Sequence, residues 1–291
     1  MASAVVRAIT STSHIFRPDL GDDRRLVEHE LRGILAPSAS SPVSACMEYA
    51  VLGDAQRLRP LLAIRTAQLT GGQFAFTLRA AAAIELLHCA SLIVDDLPCM
   101  DNDSTRRNRP SAHVAYGEST ALLAAFGLVA LAARTVIEQD TSEHHWSGQR
   151  RFQIALLRTM DCASLIGGQV MDLELTGDRR EQCRDLLNEM KTVPLFLLAI
   201  EAGLSFPSTR PEGRPETSAS AYAPLRSFGR HFGVALQMTD DYLDGEAKDF
   251  GPLERQLSAS TACLIPFGIA ASPLVELVEY LHVRAQDHRH R

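Results

Sequence analysis

Between Ile84 and Gly117 an apolar helical run gives way to a polar loop. At the changeover stand three carboxylates, Asp95, Asp96 and Asp101, followed by Arg106 and Arg107. Acid pairs at the end of an apolar helix are costly to bury without cations. Hard divalent ions such as Mg²⁺ take oxygen ligands and usually share them with substrate phosphates. Paired arginines suit bidentate phosphate recognition. The chemistry on offer is a metal-bridged phosphate site at the mouth of an apolar cavity. A second cluster, Asp240, Asp241 and Asp244, repeats the logic, since a helix stacks Asp240 and Asp244 on one face. Asp95 and Asp101 lie roughly 240° apart around an ideal helix, so they meet only if the helix ends between them. Pro98 disfavours helical geometry at the residue before it and supplies that end. One such cluster alone is ordinarily a solvated helix end. Two, each closing an apolar helix, point to a bundle that holds Mg²⁺ between facing helices.

The elements that must position these groups read as helical almost throughout, with no convincing alternating strand. The periodicity predicts helices over Asp22–Leu35, Ala45–Val51, Leu58–Leu69 and Phe74–Ile93. Further helices are predicted over Ser119–Glu138, Arg151–Thr176, Arg180–Glu201 and Tyr222–Leu243, with two more near Ser260–Ile269 and Pro273–Gln286. Phe74–Ile93 is apolar all round, the pattern of a helix buried inside a large bundle. The expected fold class is all-α: one domain over 1–291, a large bundle around a central apolar cavity. Residues 1–20 read as a flexible terminus and 206–220, rich in Pro, Ser and Gly, as an exposed loop.

A net charge of -6 with no basic run argues against nucleic acid as a partner. The six cysteines show no CxxC spacing and lie mostly in apolar helical text, which reads as reduced thiols and a cytoplasmic location. No apolar run is read as long enough for a transmembrane segment.

The text DDLPCMDND–TRR–RPSAH–YGE, followed by GGQVMDL, KTVPLF and GVALQMTDDYLD, closely resembles the trans-isoprenyl diphosphate synthases. It is most similar to the bacterial geranylgeranyl diphosphate synthases, over about Arg57 to Asp244 and in the family's order. The resemblance implies the isoprenoid synthase fold, a homodimer, and three Mg²⁺ ions as cofactor. It implies that an allylic diphosphate loses pyrophosphate, and that the carbocation alkylates the double bond of isopentenyl diphosphate before a proton leaves. Charge develops on the leaving group, where prepositioned cations help most. Carried over by motif, Asp95, Asp101 and Asp240 are direct Mg²⁺ ligands, with Asp96, Asp241 and Asp244 ligating or supporting. Arg106, Lys191 and Gln169 hold the allylic diphosphate. Arg59, His88 and Arg107 hold isopentenyl diphosphate, with Arg57 and Gln237 nearby, and Thr192 stands close to the reacting carbon.

The chain departs from the family pattern at two places where positive charge is expected. The family's GKRxRP reads Ala55-Gln56-Arg57-Leu58-Arg59-Pro60, so a phosphate-binding lysine has become Gln56. Two further lysines after the second acidic cluster are absent, with Pro252 and Ala259 near those positions and Lys248 or Arg255 as possible substitutes. A lost charge-assisted phosphate contact costs roughly 1.5–3 kcal/mol. A weakly active or regulatory subunit is therefore a second reading. A class I terpene cyclase is a third, although Asp240-Asp241-Tyr-Leu-Asp244 has the prenyltransferase form.

The helix before Asp95 also acts as a ruler for product length. Ser91 and Ala90 lie one turn below the carboxylates, and Leu87 and Leu86 lie a further turn down. In the family's fifteen-carbon enzymes with this insertion an aromatic stands where Ala90 stands, so a twenty-carbon product is expected here. The lower floor is assigned to Leu86, Leu87 or Phe126.

Overall fold

Helix follows helix because apolar residues recur three and four apart and most runs end at a recognisable stop. The computed structural model describes residues 20–36, 40–138, 143–207, 219–245, 247 and 249–289. Helices α1 (Gly21–Leu35), α2 (Pro42–Val51), α3 (Leu58–Thr70) and α4 (Phe74–Asp95) come first. A two-residue ladder of β1 (Thr105–Arg106) and β2 (Arg109–Pro110) follows. Then come α5 (Ala112–Tyr116), α6 (Glu118–Ile137), α7 (Glu143–Thr159), α8 (Leu165–Glu174), α9 (Gly177–Gln182) and α10 (Arg184–Lys191). The chain continues with α11 (Val193–Ser205), α12 (Ala219–Leu243), α13 (Gly251–Cys263), a 3₁₀ stretch over Ile265–Ala271, and α14 (Ser272–Arg289). The all-α expectation holds, and the small β1–β2 ladder is the exception.

At the centre lies α4. Ala80, Ala81, Ala82 and Ala83 are fully buried all round the helix, and α4 packs against α6, whose small Ala121, Ala124 and Ala125 are buried too. The far side of α4 packs on α3 and α11, and Gly203 makes the α3–α11 contact possible: a Cβ there would meet the Thr66 side chain at 2.5 Å. The C-terminal helix is fixed by a buried guanidinium. Arg65 of α3 donates to Asp23 at 3.1 Å, to Glu276 at 2.9 Å and to the Pro273 carbonyl at 2.6 Å, joining α1, α3 and α14.

Three expectations need correction, and two more fall mostly outside the described residues. Arg151–Thr176 is not one helix but α7 and α8, separated by a turn in which Ser164 N–H donates to Asp161 O at 2.9 Å. Arg180–Glu201 breaks at Cys183, between α9 and α10, and again at Thr192, where Pro194 has no N–H to continue the ladder to Met190. The loop read over 206–220 lies mostly outside the described residues, but Phe206 at its start is fully buried and stacks on Phe76 at 5.7 Å. The expected flexible terminus also lies outside them, apart from Leu20. Finally, α4 and α6 are each long and apolar enough to cross a membrane by length and composition. The first is enclosed by neighbouring helices, while α6 exposes Leu122, Leu123 and Phe126.

Candidate active site

The first acidic corner forms as Pro98 predicts. The last helical residue of α4 is Asp95, and the chain turns so that Asp101 N–H donates to the Asp95 carbonyl at 2.9 Å, folding Asp101 back over the helix end. Asp96 points into the protein, where Arg106 Nε donates to its Oδ1 at 2.9 Å. Arg107 and Asn108 both adopt positive φ, 54° and 61°, which turns the β1–β2 hairpin tightly and delivers Arg106 to Asp96. Burial pushes the Asp95 carboxyl up to about 6, opposed by Lys191 and reinforced by Asp101.

Lys191 closes this corner from the other side. Its Nζ lies 2.6 Å from Asp172 Oδ2, 3.8 Å from Asp95 Oδ2 and 3.9 Å from Asp101 Oδ2. Gly168 permits this arrangement, since a Cβ there would lie 2.7 Å from the Met190 carbonyl carbon, so α8 can press against the end of α10. On the same face of α8, one turn before Asp172, Gln169 carries a buried amide nitrogen with no hydrogen-bond partner. At the break after α10, Thr192 is buried and its hydroxyl donates to Gln237 Oε1 at 3.2 Å. Gln237 Nε2 in turn donates to Asp241 Oδ1 at 2.8 Å, which ties the lysine junction to the second acidic cluster.

That second cluster stands on the final turn of α12, and Asp244 N–H donates to the Asp240 carbonyl at 2.9 Å, extending the turn. Burial pushes the Asp240 carboxyl upward, while Arg284 and Arg59 pull it back. Arg284, from α14, donates to Asp240 Oδ1 at 2.8 Å.

Between the clusters lies a cationic pocket. Arg59 Nη1 donates to His88 Nε2 at 3.1 Å, its guanidinium rests over the Phe196 ring at 4.7 Å, and its Nε has no partner. Burial, then the Arg59 and Arg107 charges, hold His88 well below its usual range, so the ring is a neutral acceptor toward Arg59. Arg57 is engaged by the protein itself. Its side chain is 1 % exposed, and it donates to Glu85 Oε1 at 2.6 Å, Val51 O at 2.7 Å and Gly53 O at 3.1 Å. With Nη1 and Nη2 both engaged internally, it lies beside the pocket as support. Arg107 leans toward the same Glu85, at 4.0 Å.

Among the described residues no three His, Cys, Asp or Glu side chains converge as a ready-made metal site. Lys191 stands beside Asp95 and Asp101, and Arg284 beside Asp240, so cations of the chain itself adjoin three of the carboxylates expected as ligands. Mg²⁺ is commonly held by only one or two carboxylates plus phosphate oxygens and water, so the cradle fits it jointly with a diphosphate. The donor set is all hard oxygen, a cation already sits among three carboxylates, and Gln169 offers a free buried donor.

The ruler is changed in one respect. Ala90 and Leu87 are buried and Ser91 is half-buried, its hydroxyl donating to the His88 carbonyl at 2.8 Å. Phe126, offered as a floor, is 65 % exposed on the outer face of α6 and cannot close an internal cavity of this chain alone. A cavity of about 480 Å³ opens elsewhere, between α7 and α11, with Pro194 and Ser164 at the end near Thr192 and Arg151, Glu201 and Arg226 at the other.

Two site residues, Glu85 and Arg284, escaped the sequence reading, and a third, Asp172, reads there as no more than a buried helix contact. Glu85 and Asp172 are lone acids in apolar helices, a signal that should have demanded partners. Arg284 carries no local signal at all, because its role depends on where α14 docks.

The polyprenyl synthetase family model matches residues 40–251. Geranylgeranyl pyrophosphate synthase 10 of Arabidopsis thaliana is 31% identical over 249 residues, covering 84% of this chain and 71% of that protein. Farnesyl diphosphate synthase of Bacillus subtilis is 31% identical over 234 residues, covering 79% of this chain and 76% of that protein. The crystal structure of a geranyltransferase from Legionella pneumophila superposes with a TM-score of 0.81 at 28% identity, covering 98% of this chain and 99% of that one. With the motifs in order, the carboxylates at two helix ends and this coverage, the chain belongs to the polyprenyl synthetase family.

Proposed function

We infer that the chain is a trans-prenyltransferase that joins an allylic diphosphate to isopentenyl diphosphate. The observation that carries this reading is Lys191, poised among Asp95, Asp101 and Asp172 and linked through Thr192, Gln237 and Asp241 to the second acidic cluster.

In the reaction the allylic carbon–oxygen bond breaks and its electron pair leaves with pyrophosphate. The double bond of isopentenyl diphosphate supplies the pair for the new carbon–carbon bond, and a proton departs, with the released diphosphate as its acceptor. Lys191, Arg106 and Gln169 hold the leaving diphosphate. Arg59 and Arg107, with neutral His88, hold the second substrate. Thr192 and Gln237 fix the junction beside the reacting carbon, and buried Phe196 excludes water from Arg59. When bound at Asp95, Asp101 and Asp240, Mg²⁺ supplies charge neutralisation to the departing group; three ions suit the number of carboxylates. Positive charge aimed where negative charge develops is the largest available contribution to rate.

The favoured product is geranylgeranyl diphosphate, since Ala90 leaves no aromatic beside the carboxylates; farnesyl diphosphate is the shorter alternative. A second copy of the chain fits the exposed apolar stripe of Leu122, Leu123 and Phe126 on α6. Six free thiols suit a reducing compartment such as the cytoplasm. Incubation with labelled isopentenyl diphosphate, Mg²⁺ and dimethylallyl, geranyl or farnesyl diphosphate in turn tests the reading. Elongation of at least one primer is expected; failure with all three would overturn it.

A further inference from the structure

Arg59 is a half-buried cation with no ion pair among the described residues: it has a neutral histidine, an aromatic face and a buried, unpartnered Nε. A guanidinium left this way in a half-buried pocket calls for an anion. The second cation at this place comes from the last helix. Arg65 pins α14 through Glu276 at 2.9 Å, and about two turns further along the same helix stands Arg284. There it meets Asp240 at 2.8 Å, and the Gln56 amide, with its oxygen turned toward it, accepts from Arg284 at 3.0 and 3.2 Å. Gln56 has an uncharged side chain and lies three residues before Arg59. The Asp240 carboxyl is acted on by the charges of both Arg284 and Arg59, which puts the two guanidiniums near one carboxylate.

We propose that Arg284 is a binding residue for the diphosphate of isopentenyl diphosphate, supplying from the C-terminal helix the positive charge that Gln56 does not. The proposal rests on the prenyltransferase reading and adds to it a residue outside the sequence motifs. Asp240 holds Arg284 in place before substrate arrives, and the fork of the guanidinium presents two donors to one phosphate. Residue 56 and residue 284 then share one task, so a cation at either position serves it.

The test uses the full chain and two readouts. Equilibrium binding of isopentenyl diphosphate in EDTA, monitored calorimetrically, needs no turnover; steady-state kinetics gives KM for each substrate separately. Arg284→Gln is expected to weaken isopentenyl diphosphate binding roughly tenfold or more, the loss of one charge-assisted contact. It should raise KM for that substrate alone, leaving the allylic KM within about twofold. Gln56→Lys in the Arg284→Gln background should restore both values. The proposal is overturned if Arg284→Gln binds as wild type does, if wild type itself shows no binding, or if Gln56→Lys restores nothing. A variant that loses both substrates together with its melting temperature marks Arg284 as a latch for α14 and also overturns it. An inactive wild type that still shows the binding pattern would sink the prenyltransferase reading and leave the binding role of Arg284 standing.

Discussion

Lys191 Nζ lies 2.6 Å from Asp172 Oδ2, and that pair sets the position of the ammonium group among the carboxylates of the first acidic corner. It holds a cation 3.8 Å from Asp95 and 3.9 Å from Asp101 without metal. Lys191→Ala should therefore lower stability by about 1–3 kcal/mol, less than a fully buried pair because the lysine is partly exposed. Millimolar Mg²⁺ should recover much of that stability but not the KM for allylic diphosphate, which should rise at least tenfold. Denaturation with and without Mg²⁺, beside steady-state kinetics, checks both.

The Asp95 carboxyl gives a pH dependence with two opposite signs. Its folded pKa, about 6, is above its unfolded value, so its contribution to stability is fully present below about pH 4 and lost as pH rises through 6. In EDTA, wild type should lose on the order of 2–3 kcal/mol relative to Asp95→Asn between pH 4 and pH 7.5. Turnover with Mg²⁺ should instead fall as the pH drops below 6, because the ligand must be ionised. Parallel denaturation curves for the two proteins at both pH values would contradict the assignment.

Much of this site was legible in the residues themselves. Pro98 foretold the fold-back of Asp101, and the spacing of Asp240 and Asp244 foretold their shared turn. The break at Thr192 was signalled by Pro194 but lay within an apolar run whose periodicity continues on both sides, so pattern alone joined the two helices. The internal engagement of Arg57 and the reach of Arg284 depend on packing between segments far apart in sequence. No local periodicity encodes such packing.

Arg57 and Glu85 form a buried pair with side chains 1 % and 2 % exposed. Glu85→Leu alone should destabilise by about 3–5 kcal/mol by leaving an uncompensated charge. Adding Arg57→Met should recover part of it, though the Val51 and Gly53 carbonyls would lose their donor. Urea unfolding of the single and double variants measures this; a double variant no better than the single would show that the carbonyl contacts dominate.

Ala90 is 2 % exposed, one turn below Asp95. If the growing tail lies along this face of α4, Ala90→Tyr should shift products from twenty carbons toward fifteen with the fold kept. If the alanine serves packing alone, the same change should cost about 1–3 kcal/mol and leave chain length untouched. Product chromatography and a melting curve on one preparation separate the two.

The central claim is that the ends of α4 and α12 make one site. Calorimetric binding of inorganic pyrophosphate in the presence of Mg²⁺ tests it on wild type, Asp95→Asn, Asp240→Asn and the double variant. The account predicts that each single change weakens binding at least tenfold and that the double change costs clearly less than the sum, as for residues sharing one ligand. Full additivity, or indifference to either carboxylate, would contradict it.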